Sequence, residues 1–407
     1  GMQQREDKLV GVAVVFRHGA RTPVFGKSMP SWAKEGMVWD VCSPAVAAAL
    51  PAIDLQGVNG DPPPPLSGTV ATEVNMRLPG GAYPGQLSDL GIEQMQALGR
   101  VLRRKYGGLL GEDPRDTVTI RTTNVPRTIA SAQAVVAGAF PSASASTAAR
   151  PVVMTTMASS EEYITPNTKK CARLAELWGA AREYWDIRPD GDAKATAEEL
   201  ARLLPQEHLK NFKIDELNFI ILRDLLVALD AHDKPLPWGI TEELFTRVER
   251  LGGLQIQNLM RGGSWGHEIE CCRIAIGKLL GEIIDGLDKM KEAPPASNQR
   301  RVLFYSAHDT TVVPVLTSLG QFDGVWPPFA SYVSFELWES KDGRHSIRVL
   351  YNGKPLVVSG CHSARCSLED FRQAMQSIRP SNYDMECKSL AQRLMESQDV
   401  SRNDAFR

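Results

Sequence analysis

The run Leu9-Val10-Gly11-Val12-Ala13-Val14-Val15-Phe16 constrains this chain most. Eight residues with no polar member and no alternation describe a strand covered on both faces. Such a strand lies at the centre of a sheet sandwiched by helices, which predicts an α/β core of three layers with a mostly parallel central sheet. The run breaks at Arg17-His18-Gly19-Ala20-Arg21-Thr22-Pro23. Loops at the carboxyl ends of central strands are where open α/β sheets hold ligands, so this charged break is the first candidate for a site.

The rest of the chain supplies matching parts. Ser88 caps a predicted helix to about Tyr106, with Met95, Leu98, Leu102 and Tyr106 on one stripe. Thr117–Arg121 reads as a second strand and Pro126 opens a second helix, which places Arg127 at a helix N-terminus, where unpaired N–H groups favour an anion. Pro151–Thr155 reads as a further strand after a small-residue loop at 142–149. Arg301–Tyr305 is another, followed by Ser306-Ala307-His308-Asp309 and a helix to about Leu319. Tyr332–Glu339, Ser346–Tyr351 and Lys354–Val358 read as antiparallel edge hairpins, and Leu368–Ile378 as a last helix.

Two blocks interrupt this pattern. Residues 29–86 lose periodicity to Pro, Gly and Ala, including Asp61-Pro62-Pro63-Pro64-Pro65, and are expected to cross the surface with little regular structure and a stiff connector. Residues 156–296 carry helical spacing at 169–187, 195–204, 215–231, 241–260 and 266–290, with no convincing strand. The expected organisation is an α/β core from 1–155 and 297–407, with an insertion at 29–86 that contributes to a cap, and a helical cap domain at 156–296.

The chemistry follows from residue types. An imidazole has a lone pair at neutral pH and can attack phosphorus, and two planar guanidinium forks can hold the non-bridging oxygens. His18 is the candidate nucleophile, with Arg17, Arg21 and Arg127 as phosphate clamps. Asp309 can give a proton to the departing oxygen and later accept one from water, and His308 can donate to phosphate. Like-charge repulsion from three arginines should keep His18 neutral in mild acid, so activity below pH 7 is expected. His208, His232, His267, His345 and His362 lack such a setting and are read as surface or structural.

Composition excludes rather than selects. With 46 Lys plus Arg against 48 Asp plus Glu, net charge gives no sign of a nucleic-acid partner. No stretch approaches the roughly 20 apolar residues of a membrane helix. Seven scattered cysteines offer no zinc spacing, and no motif in the chain calls for a cofactor. Cys361 and Cys366 are spaced to close a small loop, and a free thiol is the default for the others. The opening Gly1-Met2-Gln3-Gln4 reads as an altered start on a trimmed chain, so the compartment is not legible there.

Arg17-His18-Gly19-Ala20-Arg21-Thr22-Pro23 resembles the signature of the histidine acid phosphatases, and His308-Asp309 resembles their second motif. Ile120-Arg121-Thr122-Thr123-Asn124-Val125-Pro126-Arg127-Thr128 resembles the segment whose last arginine completes their phosphate pocket. The resemblance implies His18 as nucleophile, Asp309 as proton donor, Arg17, Arg21, Arg127 and His308 as phosphate ligands, and no metal. Through Gly85–Gly91, Leu319–Ala330 and Gly360–Cys366 the likeness is to members acting on lysophosphatidic acid. It implies that substrate or a similar lysophospholipid, disulfides Cys361–Cys366 and Cys171–Cys387, and a mitochondrial association. Those disulfides instead suggest a secreted or lumenal address, and the pairing of Cys42, Cys271 and Cys272 is left open. The alternatives are a phytase-like inositol phosphate phosphatase, which needs many cations near His18 where the sequence adds only Lys27, and a non-catalytic phospholigand-binding protein.

Overall fold

Strand β1 (Lys8–Arg17) is buried over its last eight residues, and its side chains alternate between two separate cores. In the computed structural model Val12, Val14 and Phe16 join one hydrophobic cluster, and Ala13 and Val15 join another. The structure describes residues 7–25, 29–141, 150–187, 191–263, 266–294 and 300–396. The predicted loop at 142–149, Lys27 and the first six residues lie outside them.

The remaining strands are β2 (Ile53–Gly57), β3 (Val118–Thr122), β4 (Val152–Thr156), β5 (Val302–Ala307), β6 (Tyr332–Glu339), β7 (His345–Tyr351), β8 (Lys354–Leu356) and β9 (Arg365–Ser367). The sheet runs β2-β4-β3-β5-β1-β6-β7-β8, with β9 also on β7. Pairings from β2 to β1 are parallel, and β6 to β9 form the antiparallel side. Helices Asp89–Leu110 and Pro126–Ala139 cover one face, with Met95, Leu98, Leu102 and Val135 in its core. Helices Glu268–Glu292, Asp309–Ser318 and Leu368–Met375 cover the other. This is the mixed α/β, three-layer arrangement that the continuous apolar run predicts.

Residues 29–86 are more ordered than their composition predicts. Ile53–Gly57 adds β2 to the sheet in register with β4, and helices form at Pro44–Ala48 and Gly68–Asn75. These elements are too short to carry a readable period, so tertiary pairing decides them. The same segment sends Trp32, Met37, Trp39 and Leu78 into a third core shared with Leu200, Phe212, Leu222, Leu226 and Val248 of the helical block. The block itself differs from expectation around Pro205. A helix forms at Gln206–Phe212, where Pro205 precedes its first turn, and the next begins only at Ile220 because Lys213 and Leu217 adopt positive φ of 57° and 52°. Cys171 pairs with Cys387, and Cys361 with Cys366, while Cys42, Cys271 and Cys272 are free.

Candidate active site

Parallel pairing of β3, β5 and β1 brings three strand ends to one edge of the sheet. β1 ends at Arg17, β5 at Ala307 and β3 at Thr122, so Arg17-His18, His308-Asp309 and the turn to Arg127 converge from positions nearly 300 residues apart. The His18 backbone is pinned between layers, its N–H donating to Ala307 and its carbonyl accepting from Ala330. Gly19 lets the loop settle on the first turn of the Asp89–Leu110 helix. A Cβ there would lie 2.3 Å from the Gly91 carbonyl oxygen, and one on Gly91 would lie 2.1 Å from that of Ala20.

His18 is 1% exposed, and its Nδ1 lies 2.8 Å from the Gly19 carbonyl oxygen. A carbonyl can only accept, so Nδ1 carries the proton and Nε2 keeps the lone pair. The imidazole pKa falls well below its ordinary value, first through burial and then through Arg127, Arg21, Arg17 and His308. The arginines therefore act in the predicted direction, but burial leads. His308 stands with its ring centroid 5.7 Å from that of His18, and its Nε2 lies 2.9 Å from the Thr123 hydroxyl. Burial and then Arg127 lower its pKa to about 3.

Each clamp is set by neighbours. Arg17 donates to the Pro327 carbonyl at 2.6 Å, pairs with Asp309 at 2.9 Å, and lies 4.2 Å from the centroid of the Phe329 ring. Arg21 binds both oxygens of Asp224, at 2.7 and 3.3 Å. Arg127 lies in the first turn of the Pro126–Ala139 helix, and Asn124, just before that helix, donates to the carbonyls of Pro64 and Pro65, which fastens the proline run to the site. The Nε groups of Arg17, Arg21 and Arg127 are buried with no hydrogen-bond partner. Burial pulls Arg17 and Arg127 down to about 10, whereas Asp224 outweighs burial and raises Arg21.

Asp309 is the first residue of its helix rather than the cap, which is His308. Its Oδ2 accepts from Arg17 and from the Trp326 indole, both at 2.9 Å, and its Oδ1 accepts from the Thr310 N–H at 2.8 Å. Burial opposes ionisation, but Arg17 and Arg21 prevail and hold the carboxyl below the usual range. Without a bound anion, Asp309 is thus a carboxylate paired with a clamp.

All six predicted residues, Arg17, His18, Arg21, Arg127, His308 and Asp309, come together here, whereas Asp224, Arg223 and Glu73 were not anticipated. Arg223 and Asp224 interrupt the apolar stretch Phe219–Leu229, and two adjacent charges on an otherwise buried helix were the available signal. Glu73 is buried and contributes to the field on Arg127 and Arg21. Among the described residues no cluster of three or more His, Cys, Asp or Glu is placed to hold a metal.

A lone-pair imidazole surrounded by buried guanidinium groups on an α/β edge is suited to phosphoryl transfer, and the comparisons place the protein among the phosphatases. It belongs to the histidine phosphatase superfamily (branch 2), whose family model matches residues 8–219 and 274–352. It is 29% identical to bovine (Bos taurus) lysophosphatidic acid phosphatase type 6 over 391 residues, covering 92% of this chain and 85% of that one. Rat (Rattus norvegicus) prostatic acid phosphatase is 29% identical over 370 residues, covering 84% and 90%. Klebsiella sp. ASR1 phytase shares the fold with a TM-score of 0.60 at 19% identity, covering 93% of this chain and 98% of that one.

Proposed function

We propose that the protein hydrolyses lysophosphatidic acid or a similar lysophospholipid through a phosphohistidine on His18. The observation that carries the substrate reading is a cavity of about 390 Å³ beside Arg21, lined by Pro23, Val24, Phe25, Trp32, Ile220 and Leu225 among others. Among the described residues the polar side chains of its lining are Asn211, Asp224 and the Trp32 indole, with no lysine or arginine. An apolar chain on a phosphate ester fits such walls, whereas an inositol polyphosphate calls for cations. The type 6 relative, by its name, acts on lysophosphatidic acid.

In the proposed reaction Arg17, Arg21, Arg127 and His308 hold the non-bridging oxygens. The Nε2 lone pair of His18 forms a bond to phosphorus as the ester P–O bond breaks, and Asp309 gives its proton to the leaving oxygen. The Gly19 carbonyl keeps the Nδ1 proton and supports the positive ring that results. Water then attacks phosphorus, its proton passes to Asp309, and the P–N bond breaks to release phosphate and neutral His18. Asp309 becomes an acid because a bound dianion competes for Arg17 and repels the carboxylate, which raises its proton affinity.

Two disulfides support an oxidising compartment, secreted or lumenal, over a mitochondrial one. Among the described residues no helix is long and apolar enough to cross a membrane. The substrate is tested by comparing kcat/KM for lysophosphatidic acid, inositol hexakisphosphate and a small aryl phosphate. Preference for the lipid is expected, and faster turnover of the inositol compound refutes it. After an alkaline quench, which preserves a P–N bond, the wild type should carry phosphate on the protein and His18→Ala none.

A further inference from the structure

We propose that Arg223 and Asp224, neighbours on the Ile220–Ala231 helix outside the phosphatase motifs, are positioning residues for the reaction. Arg223 orients the Asp309 carboxyl through the Trp326 indole, and Asp224 orients Arg21. The inference rests on Asp309 being the proton donor.

Successive residues on a helix point about 100° apart, so this pair reaches two different parts of the site. Asp224 takes both terminal nitrogens of Arg21 and also accepts from the Val24 N–H at 3.3 Å. The carboxylate fork fixes the plane of the guanidinium and ties the loop after His18 to the helical block. Arg223 is 3% exposed, and its guanidinium carbon lies 4.3 Å from the centroid of the Trp326 ring. Its carboxylate partner is Glu249 at 3.0 Å.

The surrounding backbone is shaped for this stack. On the Glu242–Arg261 helix, a Cβ at Gly252 would lie 2.8 Å from the Arg223 Cδ. One at Gly253 would lie 2.0 Å from the carbonyl oxygen of Gly324, in the loop that leads to Trp326. Two glycines inside a helix are unfavourable, and here each opens room for one half of the Arg223–Trp326 contact. A buried arginine is not needed for packing alone, because an apolar side chain fills such a space at no electrostatic cost. The cation over the indole face is what an apolar residue cannot supply.

The consequence concerns timing. In the unliganded protein Asp309 Oδ2 has two orienting donors, Arg17 and Trp326. Once a phosphate engages Arg17, the indole N–H is the side-chain donor still holding the carboxyl plane, which leaves Oδ1 to carry the proton. Rotation of Trp326 would misalign that proton with the leaving oxygen.

The test uses leaving-group dependence, which a merely structural role does not move. 4-Nitrophenolate departs without a proton, whereas an alkoxide needs one. Arg223→Met, which keeps bulk, should lower kcat/KM, which reports the leaving-group step and not the shared hydrolysis of the phosphohistidine, about tenfold more for an alkyl phosphate than for 4-nitrophenyl phosphate. Trp326→Phe should reproduce that ratio. Asp224→Asn should weaken competitive inhibition by sulfate about tenfold, with KM rising on both esters and the alkyl-to-aryl ratio of kcat/KM unchanged. Equal losses on both esters in the Arg223 and Trp326 variants, or unaltered sulfate inhibition in Asp224→Asn, overturns the proposal. Asp309→Asn is the reference. If it shows no leaving-group dependence, the acid role of Asp309 fails and the inference falls with it. If it does and Arg223→Met and Trp326→Phe do not, only the inference falls.

Discussion

Asp309 is ionised and paired with Arg17 in the unliganded site, yet the proposed reaction needs it protonated when substrate is bound. Anion binding must therefore bring a proton with it. Two unit charges about 4 Å apart at an effective dielectric near 20 interact by about 4 kcal/mol. Raising a carboxyl from below 3.8 to about 5 takes at least roughly 1.6 kcal/mol at about 1.36 kcal/mol per pH unit, and a dianion carries two such charges, so its field is of the order required. Sulfate is the suitable probe because it stays dianionic from pH 4 to 7. In the wild type its inhibition constant should tighten by up to about tenfold per pH unit as pH falls through the window between the free and bound pKa of Asp309. Asp309→Asn removes that proton, so its inhibition constant should change more shallowly, any remaining slope coming from His308 and His18. The assay is competitive inhibition of aryl phosphate hydrolysis by single-turnover kinetics, with direct calorimetry of sulfate binding as a second measure. Identical pH slopes in the two proteins would refute the coupling and the acid role built on it.

His18→Ala should abolish turnover while calorimetry still detects phosphate, since the clamps are untouched. Near-normal activity in that variant eliminates the phosphohistidine route. His18 is neutral in the fold and protonated in the unfolded chain below about 6.5, so its contribution to stability is lost as pH falls from there toward its depressed native pKa. At pH 5 the loss is up to about 2 kcal/mol, and the urea midpoint should shift less between pH 7.5 and 5 in His18→Ala than in the wild type. Gly91→Ala places a methyl 2.1 Å from a backbone oxygen that no rotamer can move. Displacement of the His18 loop should cost about 1–3 kcal/mol by denaturant titration and lower kcat sharply. Cys171–Cys387 closes a separation of 216 residues and Cys361–Cys366 one of 5. Chain entropy assigns about 5 and about 2 kcal/mol respectively, so removing the first pair should lower the unfolding midpoint far more.

The legible parts of the molecule are those set by local chemistry. β1 is readable because both its faces are apolar, and each motif is readable because a strand ends where its charged residues begin. The convergence of Arg17, Arg127 and Asp309 follows once three such ends belong to neighbouring parallel strands. What was not legible depends on contacts between distant segments. β2 has five residues, and only its pairing with β4 makes it a strand. Trp326 shows no sign of its role in the sequence, whereas in the fold its indole N–H donates to Asp309. Asp224 and Arg223 carry no motif, and their roles exist because the Ile220–Ala231 helix packs against the loop after His18 and the loop before Trp326.

The physical ground for expecting an acidic optimum also shifts once the site is seen whole. From the sequence, three arginines suppress protonation of His18 and so permit activity in acid. In the structure His18 is already neutral through burial, and the three arginines meet protein carboxylates: Arg17 pairs with Asp309, Arg21 with Asp224, and Arg127 feels the field of Glu73. A phosphate dianion entering this nearly balanced set adds negative charge beside Asp309, so binding and proton uptake become one event. Neutral His18 permits acid activity, but the need to protonate Asp309 in the complex is what demands it. The alkaline limb of the kcat profile then belongs to Asp309 in the enzyme–substrate complex. It should flatten for a leaving group that departs unprotonated, while the acid limb, set by His18, stays in place.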